Sequence, residues 1–112
     1  TTLPPPLAPL FNPAVQDYLI STLSLDPAEL VAQARLPVLI VQGGKDIQVA
    51  VADAERLKAA HPAAKLIILP MANHVLKDVA GDTLSDNMAA YQAPDLPLAA
   101  GLVSGIAAFV RD

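Results

Sequence analysis

Two short, unbroken apolar runs stand out from an otherwise mixed chain. Pro37-Val38-Leu39-Ile40-Val41-Gln42 runs into Gly43-Gly44, and Lys65-Leu66-Ile67-Ile68-Leu69 runs into Pro70. Continuous runs of branched residues bounded by turn formers read as strands buried on both faces of a parallel sheet. Between them, Val49 to Ala60 sets Val51, Ala54 and Leu57 inward and Asp53, Glu55, Arg56 and Lys58 mostly outward. That spacing predicts a helix, stopped by His61-Pro62. Strand, helix and strand in so short a stretch form a βαβ unit, for which a right-handed crossover is expected.

The flanks read less regularly. Residues 1–11 are Pro-rich and cannot stay helical for long. Asn12-Pro13 is a helix start, with Asn12 as cap and Val15, Tyr18, Leu19 and Thr22 on one face. A second, short helix starts at Asp26-Pro27-Ala28-Glu29, where Asp26 and Glu29 predict a reciprocal capping box, and it ends before Pro37. Residues 70–97, broken by Gly81, Pro94 and Pro97, read as irregular. A last helix is expected from Leu98 to Val110, with Leu98, Leu102, Ile106 and Phe109 on one stripe. No internal repeat is visible. The fold class is α/β. Two parallel strands do not stand alone, since buried strands need neighbours at their edges and helices on both faces. The expectation is that something outside the chain covers the free edge of the first strand.

Composition sharpens that picture. Of 112 residues, 54% are hydrophobic, above the average for globular domains even on a set that includes glycine. Either the richness in small alanines accounts for this, or the chain is a piece of a larger molecule; its start at Thr1 rather than Met leans toward the second. Seven Lys and Arg against eleven Asp and Glu give a net charge of −4, and the cations are scattered. Nucleic-acid binding needs them clustered. With no Cys, disulfides and thiolate metal sites are excluded. The longest apolar tract, Leu98 to Val110, is too short for a bilayer, which takes about 20 residues, so no transmembrane segment is expected. No signal peptide is visible, and the compartment stays open.

Candidate chemistry sits just past the two strands. Asp46 follows the first and His74 the second. In open α/β sheets, ligands and catalytic groups collect beyond the carboxyl ends of strands. Taken singly, Asp46 reads as a turn former or helix cap and His74 as a loop histidine. Taken together, they lie one crossover apart and are delivered to the same end of the sheet. There a carboxylate can fix one imidazole tautomer and stabilise its protonated form, and the imidazole can relay a proton near neutral pH.

Leu-Pro-Val-Leu-Ile-Val-Gln-Gly-Gly-Lys-Asp, then Asp53-Ala54 in a helix, then Leu-Ile-Ile-Leu-Pro-Met-Ala-Asn-His, resembles the last strands of the α/β-hydrolase superfamily. Nucleophile, acid and histidine follow in that chain order in this family. The resemblance covers about residues 34–111 and implies that Asp46 is the triad acid, His74 the triad histidine, and the last helix the one closing the fold. Asn73-His74-Val75-Leu76-Lys77, with Tyr91 and Pro94-Asp95-Leu96-Pro97-Leu98, is similar to esterase- or lysophospholipase-like members. Asn73 stands where the family often has Gly, and asparagine tolerates left-handed backbone. Residues 1–33 then correspond to the end of a cap region, and 34–112 to the C-terminal part of the hydrolase core.

The family's serine, in Gly-x-Ser-x-Gly, is missing. Ser21, Ser24, Ser85 and Ser104 are all the serines, and none has that setting; Ser104 follows Gly101 by three residues rather than two. The expected oxyanion loop is missing too. The resemblance therefore implies a serine hydrolase acting on carboxylic esters, or amides, whose nucleophile lies outside this chain. The partners are a small-molecule ester and the missing N-terminal part or another copy; no cofactor is needed. The alternative is a non-catalytic association module that pairs its open strand edge with another chain. Gly101-x-x-x-Gly105 reads as ordinary close packing. Asp46, His74, Asp78, Asp82 and Asp86 match no metal-site spacing, and Gly43-Gly44-Lys45 is not a phosphate loop.

Overall fold

The structure, a computed structural model, describes residues 12–112. The Pro-rich stretch, and with it the first part of the expected cap region, lies outside the described residues. The order is α1 (Pro13–Leu23), α2 (Pro27–Ala32), β1 (Leu39–Gly43), α3 (Val51–Ala60), β2 (Lys65–Leu69), α4 (Leu84–Tyr91) and α5 (Leu102–Arg111). β1 and β2 pair in parallel, with Leu39 opposite Lys65 and Gly43 opposite Leu69. The class is α/β, with a two-stranded parallel sheet.

Alternation along the strands sorts the core onto two faces. On one, Ile40, Ala54 and Ala64 form a buried cluster with Val38, Leu57 and Leu66, which seats α3. On the other, Leu69, Ala72, Ala99 and Leu102 cluster with Val41, Ile67 and Leu76, which seats α5. Gly105 lets α5 come close: a Cβ there would lie 2.8 Å from Ile67 Cδ1. Helices therefore cover both faces of the sheet, as buried parallel strands require.

Burial is shallower than the apolar runs predict. β2 keeps Lys65 and Ile68 exposed, since among the described residues no strand pairs with its outer edge. In α1, Asn12 accepts from the Ala14 N–H at 2.9 Å as expected, yet no residue of the helix is buried. Of its predicted face, Val15, Tyr18 and Thr22 are exposed and Leu19 is half-buried. The capping box at α2 is replaced by a different pair of bonds: Asp26 accepts from Ala28 N–H at 2.8 Å and binds Arg56 of α3 at 2.6 Å.

Two boundaries and one irregular stretch are corrected. α3 starts at Val51 rather than Val49, because Val49 and Ala50 complete the loop from β1; Asp53 reaches back to the Ala50 N–H at 3.1 Å. α5 starts at Leu102 rather than Leu98. Gly101 adopts a left-handed φ of 86°, and Leu98 instead bridges antiparallel to Lys77. The predicted stripe thus keeps Leu102 buried while Leu98 and Ile106 stay exposed. Finally, the region read as irregular contains α4. Thr83 caps it, accepting from the Asp86 N–H at 3.1 Å, while Asp86 accepts from the Thr83 N–H at 3.1 Å. No described helix is long and apolar enough to cross a membrane.

Candidate functional site

Two glycines bring the two strand exits together. A Cβ on Gly43 would lie 2.4 Å from the Ala72 carbonyl oxygen, and one on Gly44 would lie 2.6 Å from that of Pro70. Without side chains there, the backbones continue to pair beyond the strands. Gly44 N–H donates to Leu69 C=O at 2.8 Å and Lys45 N–H to Ala72 C=O at 2.9 Å. This side-by-side exit carries Asp46 and His74 to one place.

Each residue is then held by its own loop. Asp46 Oδ1 accepts from the Gln48 N–H at 2.8 Å and the Val49 N–H at 3.0 Å. His74 sits in a tight turn closed by Asn73, which is fully buried. Asn73 Oδ1 accepts from Val75 N–H at 3.2 Å and Lys77 N–H at 3.1 Å, and Asn73 N–H donates to Lys77 C=O at 3.0 Å. The left-handed residue of this turn is Leu76, with φ 58°, and not Asn73. Leu76 keeps that conformation while packing into the α5-side core and accepting from Ala99 N–H at 2.8 Å.

His74 Nδ1 lies 2.9 Å from Asp46 Oδ2. The Asp46 side chain is 6% exposed and that of His74 is 41% exposed. Burial pushes the Asp46 carboxyl up. The Val49 and Gln48 N–H groups and the His74 ring outweigh that, and together they hold it below its ordinary value. An ionised carboxylate only accepts, so Nδ1 is the donor and carries the proton. In the neutral imidazole Nε2 is then the bare nitrogen, and it has no hydrogen-bond partner among the described residues. The arrangement is that of an imidazole oriented by a carboxylate through Nδ1, on a side chain that is 41% exposed.

Residues beyond the pair brace it. Lys45 donates to Val79 C=O at 3.0 Å and Gly81 C=O at 2.7 Å and binds Asp82 at 2.8 Å. Asn87 of α4 donates to Lys45 C=O at 2.7 Å, and Gln48 donates to Tyr91 Oη at 2.7 Å. The loop from β1 and the start of α4 thereby enclose a cleft of about 330 Å³, with Asp46, Thr83 and Asn87 among its walls. Two buried polar atoms, Asn73 Nδ2 and Asn87 Oδ1, have no hydrogen-bond partner among the described residues.

The serines are elsewhere. Ser21, Ser24 and Ser104 turn back onto the carbonyls of Tyr18, Ser21 and Gly101, and none of the four is bonded to His74. Among the described residues no group of three or more His, Cys, Asp or Glu could hold a metal ion. Asp78, Asp82 and Asp86 go to Ala100 N–H, Lys45 and Thr83 respectively. The sequence reading missed Gln42, which touches Asp46, and the bracing role of Asn87; a Gln inside an apolar run and the Thr-x-x-Asp cap at residue 83 were the available signals. No protein family, curated protein or solved structure matches the chain.

Proposed function

We propose that this chain supplies the acid and the base of a serine hydrolase acting on carboxylic esters, with the nucleophile contributed by polypeptide outside these 112 residues. One observation carries the reading: a buried carboxylate held by backbone donors meets Nδ1 of an exposed imidazole at 2.9 Å. In the proposed reaction His74 Nε2 takes the proton of the incoming serine as its Oγ bonds to the acyl carbon. His74 then gives that proton to the departing alkoxide as the ester C–O bond breaks. A water molecule repeats the sequence and releases the acid. Asp46 keeps the proton on Nδ1 and balances the imidazolium. The resemblance of residues 34–111 to the end of an α/β-hydrolase supports the same reading.

The coding frame upstream of Thr1 tests it. A Gly-x-Ser-x-Gly following a predicted strand is expected there, and a start codon immediately before Thr1 would contradict a nucleophile carried on the same polypeptide. A second reading, an association module, is favoured by a different observation: among the described residues no strand pairs with either outer edge of the sheet, and no residue of α1 is buried.

A further inference from the structure

We propose that Gln42 is a positioning residue for the Asp46–His74 pair, acting through the carboxylate oxygen that meets the imidazole; this rests on the reading of the pair as acid and base. Gln42 lies within β1 and is 6% exposed. It shares the α3-side face with Val38 and Ile40, where an apolar residue would serve the core. Its amide instead reaches three oxygens: Gly43 C=O at 3.0 Å, Val49 C=O at 3.1 Å and Asp46 Oδ2 at 3.3 Å. Two N–H protons serve three acceptors. The bond to Val49 ties the end of the loop to the strand, with Asp46 held between. The bond to Oδ2 falls on the atom that His74 Nδ1 also meets.

Oδ1 is already occupied by the Gln48 and Val49 N–H groups. Of the four donors around the carboxylate, two are backbone and one is the base itself. Gln42 is the remaining one, and the side chain through which the sheet fixes the direction of Oδ2. Without it, the loop keeps its backbone bonds to Oδ1, but Oδ2 has only the histidine it is meant to orient.

The test is the tautomer of His74 in the isotope-labelled chain, read from long-range proton–nitrogen correlations near pH 8.5, about two units above the ordinary histidine value. The wild type should show Nδ1–H as the major form. Gln42→Met should lose that majority to Nε2–H while the backbone amide spectrum stays dispersed. An unchanged tautomer in a folded Gln42→Met chain overturns the inference and leaves the pair intact. A wild type already in the Nε2–H form overturns both. Should Gln42→Met fail to fold, the wild type decides: the Gln42 amide protons should shift with the Asp46 carboxyl carbon as the pH is lowered, and amide protons that stay put overturn the inference.

Discussion

Asp46 joins two roles that compete on sequence alone. It is the turn former, through Oδ1, and the partner of His74, through Oδ2. Because its carboxyl is held below the ordinary value, the folded chain takes up that proton less readily than the unfolded one. The stability it confers is complete above the unfolded value of about 3.9 and is lost as the pH falls through the folded value. The melting temperature should therefore drop below about pH 4, and Asp46→Asn should show a smaller drop. Some dependence should survive, because Asp86, bonded to the Thr83 hydroxyl and N–H, is lowered in the same direction. Asn73→Ala should cost about 1–3 kcal/mol in denaturant unfolding, since the Val75 and Lys77 N–H groups lose their acceptor. Asp46 and His74 were legible because each follows an apolar run. Asn73 was legible only as a departure from glycine; its work is a pair of side-chain bonds, which spacing does not reveal.

At the scale of elements, the strand–helix–strand unit was plain because hydrophobic periodicity records it directly. The start of α5 and the whole of α4 were not. Their boundaries are set by single-residue geometry: the left-handed Gly101, and a Thr83–Asp86 cap inside a stretch full of turn formers. The two glycine contacts make a comparative prediction. At Gly43 a methyl group meets backbone, whereas at Gly105 it meets the far end of the Ile67 side chain. Gly43→Ala should therefore cost roughly 1–3 kcal/mol, the usual range for overpacking. Gly105→Ala should cost clearly less in the same unfolding experiment, because the Ile67 side chain can turn aside.

Among the described residues of the whole molecule, the buried hydrophobics are mostly small and many large ones are exposed. Ala54, Ala64, Ala72, Ala90 and Ala99 are among its buried hydrophobics, while Tyr18, Ile20, Leu23, Leu36, Leu84 and Val110 are each more than 60% exposed. With no strand paired to either outer sheet edge among the described residues, the chain should self-associate as its concentration rises in analytical ultracentrifugation. A monomer at all concentrations with one cooperative thermal transition would count against an incomplete sheet. The excess of apolar residues in the composition pointed the same way, and no pattern within the chain could say what covers them.

The most direct measurement compares hydrolysis of a p-nitrophenyl ester by the 112-residue chain and by the polypeptide extended through the upstream coding frame. The account predicts no turnover by the chain alone, turnover by the extended protein, and a loss of roughly 10⁴–10⁶-fold in kcat on His74→Ala in that protein. Turnover that survives His74→Ala would contradict it.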